Sequence, residues 1–216
     1  MKIDILTLFP KMFKGPFAES ILRRAQDKSL VEINIHNLRK WAKDKRKTVD
    51  DRPYGGGVGM ILRIDVIDAA ISKLKTLNSK IILLDATGKT FTQQKARELV
   101  KLDHLILVAG HYEGVDHRVH EHLVDEVISI GDYVLTGGEI PAMVLTDAVV
   151  RLIPGVLEKP EATEFESFTH PSVLEHPQYT RPEVYRRWKV PKVLLSGNHK
   201  EIEAWRKKKS VIMITG

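Results

Sequence analysis

Lys80-Ile81-Ile82-Leu83-Leu84-Asp85-Ala86-Thr87-Gly88, then a stretch of helical spacing over Gln93 to Val100, then His104-Leu105-Ile106-Leu107-Val108-Ala109-Gly110, decides the fold class. Two short apolar runs rich in branched side chains, each closing on a glycine, read as strands buried on both faces. A helix between two such strands implies a crossover and therefore parallel pairing. The same alternation extends outward in both directions. Ile3 to Phe9 reads as a first strand stopped by Pro10, Phe17 to Gln26 as a helix and Val31 to Ile35 as a second strand. Ile64 to Leu77 reads as a helix, Val124 to Ile130 as a short strand and Glu139 to Leu152 as an apolar helix. The reading is an α/β fold with a mostly parallel sheet and helices on both faces. Pro154 to Pro182 carries five prolines and little periodicity, so it reads as a linker to a small basic helical C-terminal lobe.

Composition narrows the function classes. The 216 residues hold 34 Lys plus Arg, 28 Asp plus Glu and no Cys. The absence of Cys excludes a disulfide scaffold, a thiolate metal site and a cysteine nucleophile together. Nothing at the start resembles a secretory signal, and no apolar run approaches the ~20 residues of a membrane span. A cytoplasmic location is expected. Charge is unevenly spread. From Arg181 onward there are ten Lys or Arg and three Asp or Glu, and Arg39 to Lys47 adds six cations and one anion. Gly110 to Asp147 holds eight acids and one Arg. Basic ends around an acidic middle point to a polyanionic partner, although a single lysine-rich run is more often a solvated face.

Ten of the 14 glycines fall between Gly55 and Gly138. In an open α/β sheet the ligand crevice lies at the carboxyl ends of the strands. Gly88-Lys89-Thr90 lacks the glycine five residues upstream that a phosphate-binding loop needs, since Leu83 stands there. Gly55-Gly56-Gly57-Val58-Gly59 follows Asp50 to Tyr54, which is no buried strand, so a dinucleotide-binding loop is disfavoured. No G-x-S-x-G elbow occurs. His117, His120 and His122 lie close together; with no H-E-x-x-H pattern, a solvated helix face is favoured over a metal site. Three glycine-bearing loops remain, Leu84 to Gly88, Val108 to Asp116 and Ser129 to Pro141. At successive strand ends, with Tyr and carboxylates among them, they read as one pocket for a ligand both polar and planar.

Seven strings carry a family resemblance: DILTLFP (Asp4 to Pro10), VDDRPYGGGVGM (Val49 to Met60), GHYEGVDHRV (Gly110 to Val119), SIGDYVLTGGEIPAM (Ser129 to Met143), RLIPGVL (Arg151 to Leu157), HPQYTRPEVY (His176 to Tyr185) and VLLSGNHKEIEAWR (Val193 to Arg206). In order and over nearly the whole chain, the sequence resembles the TrmD family of bacterial tRNA (guanine-N1)-methyltransferases, of the SPOUT class. The resemblance implies a deep trefoil knot, S-adenosylmethionine as methyl donor, and methylation of N1 of guanosine at tRNA position 37. It implies a homodimer whose active sites lie at the subunit interface, with tRNA as partner and neither DNA nor membrane. Mg2+ has no signature in the sequence and is compatible with the reading. The implied organisation is a SPOUT cofactor domain over 1–157, a flexible linker over 158–175 and a short tRNA-binding lobe over 176–216.

Residue roles carry over by position. The implied cofactor pocket is Leu83, Leu84, Asp85, Gly110, Tyr112, Glu113, Ile130, Gly131, Tyr133, Leu135, Gly137 and Gly138. Asp50, Arg52, Tyr54, Gly59, Met60 and Arg181 are implied to meet tRNA, and the loop holding the first five is expected to be disordered without RNA. The implied general base is Glu166 and the implied cation at O6 is Arg151. Read without the resemblance, Arg151 is a helix-end charge and Glu166 a linker carboxylate. The base position is usually Asp in the family, Phe168 to Leu174 carries one extra residue, and family members usually run on past Gly216 with a further basic helical stretch. Two other readings stand beside this one: a SPOUT RNA methyltransferase with a different target, and a catalytically impaired tRNA-binding homologue.

Overall fold

The computed structural model describes residues 1–159, 163, 166–170 and 173–212. The chain divides into two compact units, Met1–Glu158 and Lys159–Gly216.

The first unit is built on five strands, β1 (Lys2–Thr7), β2 (Glu32–Asn37), β5 (Ser79–Thr90), β6 (His104–Ala109) and β7 (Glu126–Ser129), in the order β2-β1-β6-β5-β7. Every pairing is parallel. β3 (Asp50–Asp51) and β4 (Ile61–Leu62) form a separate antiparallel pair. The helices are α1 (Lys14–Phe17), α2 (Ser20–Asp27), α3 (Ile64–Leu74), α4 (Gln93–Leu99), α5 (His117–His122) and α6 (Glu139–Val150).

Strand alternation divides the core in two. Ile3, Ile5, Ile82, Leu84, Leu105 and Leu107 pack with α2, α4 and α6 on one face. Leu6, Ile81, Leu83, Ile106 and Val108 pack with α3 and Val119 of α5 on the other. Successive side chains of a strand point to opposite faces, so an unbroken apolar run feeds both layers at once.

Two features depart from the sequence reading. β5 is longer than Lys80 to Leu84, because Ile128 of β7 is in register with Leu84 and again with Lys89, and the residues between take a detour. Phe91 N then donates to Ser129 O at 2.7 Å, holding the far side of that detour to the end of β7. The Asp44-to-Gly59 stretch, expected as a loop throughout, contains a short strand. Asp50–Asp51 pairs with Ile61–Leu62, and Arg63 N donates to Val49 O at 2.9 Å.

At the amino ends of the strands, Asp4 is fully buried. Its carboxylate meets His36 Nε2 at 2.8 Å, His104 Nε2 at 2.7 Å and Lys2 Nζ at 2.9 Å. Ser79 Oγ lies 2.7 Å from His104 Nδ1. Burial opposes ionisation of Asp4, but the hydrogen bonds from His36, Lys2 and His104 outweigh it and hold the carboxyl well below its ordinary range.

The second unit has an antiparallel hairpin, β9 (Val184–Tyr185) with β10 (Trp188–Lys189), and the helices α7 (Lys192–Leu195) and α8 (His199–Lys209). β8 (Val173–Leu174) pairs antiparallel with β11 (Val211–Ile212). β8 falls inside the stretch expected to be linker, because its two apolar residues find a strand partner near the end of α8.

Asp4→Asn keeps the side-chain volume and removes the charge that three cations or imidazoles converge on. Breaking a buried ionic cluster at one partner costs about 3 kcal/mol. The folded chain binds the Asp4 proton less readily than the unfolded chain, so this stability is complete above about pH 4 and fades as acid is added below it. Urea midpoints of parent and variant should differ most near pH 7 and converge below pH 4; a difference constant with pH refutes the assignment.

Candidate active site

The detour within β5 and the loops after β6 and β7 enclose a cleft of about 730 Å³, open mouth included. It sits at the carboxyl edge of the sheet, where parallel topology brings successive loop starts together. Eleven of the twelve expected cofactor residues line it. The exception is Leu83, whose fully buried side chain belongs to the opposite core layer. Leu84, one residue on, faces the cleft and is 2% exposed.

Each loop is held by its own local chemistry. Asp85 Oδ1 accepts from Thr87 N at 2.9 Å and Thr87 Oγ1 at 2.8 Å, which turns the first loop. Desolvation works against its charge, but those bonds and His120 keep the Asp85 carboxyl below its ordinary range. In the second loop Tyr112 takes a φ of 61°. In the third, Ser129 Oγ donates to Gly131 O at 2.9 Å and accepts from Gly131 N at 3.2 Å.

The second and third loops are tied to each other. Gly138 N donates to Gly110 O at 2.7 Å, and His111 bridges Gly137 in antiparallel fashion. Beneath this junction lies Glu139, the first residue of α6 and 1% exposed. Thr7 Oγ1 donates to Glu139 Oε1 at 2.8 Å, and His111 Nδ1 stands 3.4 Å from Oε2. The His111 ring lies between Phe9 and Tyr112, at centroid distances of 4.7 and 5.0 Å. Sequence reasoning missed His111, Glu139, Thr7 and Ser129. His111 and Glu139 sit inside quoted glycine loops, but nothing in their spacing announces that they meet.

The three histidines divide. His117 and His122 are exposed along α5, as a solvated face requires. His120 turns inward, with Nε2 3.5 Å from Asp85 Oδ2, and supports the first loop.

The β3–β4 hairpin leans on the rim. Glu113 N donates to Met60 O at 3.0 Å. Gly59 has φ +82°, and a Cβ there would run into the Glu113 side chain at 2.5 Å. Asp50 and Met60 are half-buried, whereas Arg52, Tyr54 and Gly59 are exposed, Tyr54 fully. Five of the six residues expected at tRNA therefore share one hairpin beside the cleft. Arg181 is exposed in the second unit.

Arg151 does not line the cleft. Arg151 caps the carboxyl end of α6 and lines a separate shallow cleft with Glu19 and Asp147. α6 begins at the main cleft, so its 12 residues carry Arg151 about 18 Å away. Glu166 belongs to the second unit, where its backbone carbonyl accepts from Thr169 N at 3.2 Å and Thr169 Oγ1 at 2.7 Å. Glu164, the other carboxylate of that segment, lies outside the described residues.

The cleft fits an adenosyl sulfonium. Backbone turns offer amides and carbonyls to a purine edge, Leu84 and Leu135 supply apolar faces, and Asp85 and Glu113 supply negative charge for a cationic ligand. Gly137 is tightly enclosed, since a Cβ would strike both His111 Nδ1 and Glu139 Oε2. Gly137→Val should part the two loops. In a thermal-shift titration with S-adenosylmethionine, the parent should rise with ligand concentration by linkage and the variant should not. An equal rise in a folded variant refutes the pocket.

The tRNA (Guanine-1)-methyltransferase TrmD family model matches residues 1–215. A tRNA (guanine-N(1)-)-methyltransferase of Dictyoglomus turgidum is 56% identical over 211 residues, covering 98% of this chain and 85% of the relative. One of Citrifermentans bemidjiense is 54% identical over 213 residues, with 98% and 85% covered. One of Bacillus pumilus is 54% identical over 214 residues, with 98% and 87% covered. With a family match running from the first residue to the last but one, the chain belongs to the TrmD family of tRNA (guanine-1)-methyltransferases.

Proposed function

We propose that this protein methylates N1 of guanosine at tRNA position 37, using S-adenosylmethionine bound in the three-loop cleft. The observation that carries the reading is the cleft itself: eleven residues expected from sequence at a cofactor meet around one cavity at the carboxyl edge of the sheet. When bound, the cofactor supplies an electrophilic methyl on its sulfonium.

The rest falls to the chain. Guanine N1 carries a proton at neutral pH, so a positioned base must remove it. Glu166 takes that role. As the proton leaves, negative charge builds on O6, and a fixed guanidinium there lowers the barrier. Arg151 takes that role. The β3–β4 hairpin, already bonded to Glu113 through Met60, orients the target nucleotide with Asp50, Arg52 and Tyr54. The basic run Lys43 to Lys47 and the second unit, with Arg181, hold phosphates.

The active unit in this reading is a homodimer. The length of α6 separates Arg151 from the cleft of its own chain, and a second subunit supplying Arg151 and Glu166 removes that gap. Ile140 and Val144, one helical turn apart on α6, are 45% and 42% exposed, which leaves an apolar strip for the partner. In this reading a trefoil knot completes the fold. The organisation proposed is a cofactor domain over 1–157, a connecting segment over 158–175 and a tRNA-binding lobe over 176–216, in the cytoplasm.

Glu166→Gln keeps size and hydrogen bonding but accepts no proton. Single-turnover methylation of an anticodon-stem transcript should slow by about 10²- to 10⁴-fold, with S-adenosylmethionine affinity unchanged. Glu166→Asp restores the usual family residue and should stay active. Arg151→Ala should slow comparably. A normal rate for Glu166→Gln beside a dead Glu164→Gln moves the base to Glu164.

In light scattering at micromolar concentration the mass should be about twice the 24.5 kDa of the chain. A monomer there counts against the shared site.

A further inference from the structure

We propose that the β9–β10 hairpin is a stacking platform for an unpaired nucleotide of the RNA substrate, with Tyr185 and Trp188 as its rings and Arg186 and Arg187 as its phosphate contacts. The proposal rests on the tRNA reading and adds a site to it.

Tyr185 and Trp188 are directly opposite in the hairpin, so both side chains leave from the same face. Their ring centroids are 6.0 Å apart. A cross-strand aromatic pair ordinarily covers apolar surface, yet these rings are 54% and 66% exposed. Large aromatic side chains left open to water signal a contact surface.

The charges around the pair say what the contact is. Arg186 Cζ lies 5.4 Å from the Tyr185 centroid and 5.8 Å from the Trp188 centroid, one guanidinium serving both rings. Arg186 holds φ at 56° in the two-residue turn, a place where Gly or Asn is the usual choice. Arg187 and Lys189 are exposed beside it. Two open rings with three cations on a six-residue ribbon combine flat apolar faces with positive charge. An unstacked base carrying its phosphate is the ligand with the matching pair of properties. An apolar protein surface would have no use for the cations.

The test uses the full chain, an anticodon-stem-loop transcript, a single-stranded RNA hexamer and an abasic hexamer of the same length that lacks every base. Trp188→Ala should raise the Kd for transcript and hexamer on the order of ten- to hundredfold, and Trp188→Phe should recover most of it. Neither should change the slope of log K against log salt, because stacking releases no counterions. Arg187→Gln should lower that slope by about one contact. The abasic hexamer should bind the parent and Trp188→Ala alike. The difference in tryptophan fluorescence between the parent and Trp188→Phe should be quenched by the intact hexamer and not by heparin.

Parent-like RNA affinity in Trp188→Ala overturns the platform. Quenching by phosphatidylserine vesicles but not by RNA overturns it in favour of a membrane surface. Failure of the parent to methylate any transcript, with Trp188→Ala still losing RNA affinity, overturns the methylation reading and leaves the platform standing.

Discussion

The Glu139 carboxylate is the point on which the candidate site depends. It is 1% exposed, and a buried polar group is tolerated only where partners replace the water it has lost. Thr7 supplies a hydroxyl from the end of β1, the amino terminus of α6 supplies a favourable dipole, and His111 brings an imidazole from the loop after β6. Glu139 thereby ties the end of β1 to the start of α6, with the loop after β6 packed against its second oxygen. The Gly138–Gly110 bond and the His111–Gly137 bridge lie directly above it. The glycines are required by this packing as much as by any ligand, because a Cβ on Gly137 would enter the space between His111 and Glu139.

How far the sequence reached follows from how local each signal is. β6 was legible to the residue, since its run is short, rich in branched side chains and closed by Gly110, which favours a buried strand over a helix. The cleft was legible because glycine-bearing loops cluster at strand ends, an arrangement that topology makes convergent. The far half of β5 was not, because Lys89 and Thr90 join the sheet only by pairing with β7, whose place no local pattern predicts. Leu83 and Leu84 show the same limit. Adjacent leucines look interchangeable in a string, and only the phase of the pleat sends one to the cleft and the other to the opposite layer. His120 was read with its exposed neighbours because an i, i+3 spacing does not say which face of a six-residue helix meets the sheet.

The chemistry assigned to Arg151 and Glu166 was legible only through resemblance. An arginine at a helix end and a glutamate in an irregular segment have no sequence feature that marks them. The structure sharpens the problem by putting Arg151 at the end of α6 that faces away from the cleft. A helix is a rigid spacer, so no side-chain rotation brings the guanidinium back over about 18 Å. Under the proposed reading, a site that uses both ends of α6 is closed by a second copy of the chain.

Electrostatics imposes a last constraint. A methyl donor of this kind is a cation, and its partner nucleic acid is a polyanion, so one protein must offer opposite fields to its two ligands. Of the acids between Gly110 and Asp147, Glu113 lines the cleft and Glu139 lies beneath it, and beside them Asp85 is kept below its ordinary range by its Thr87 bonds and His120 against the cost of burial. The cations gather on the Lys43–Lys47 turn, the β9–β10 hairpin and the last turns of α8, all exposed. Within about 10 Å at ordinary ionic strength these fields would partly cancel. Within the first unit, Asp85 and Glu113 stand at the cleft and the cations on the separate Lys43–Lys47 turn. The uneven charge along the sequence is thus the one-dimensional trace of a requirement that becomes spatial only when the chain folds.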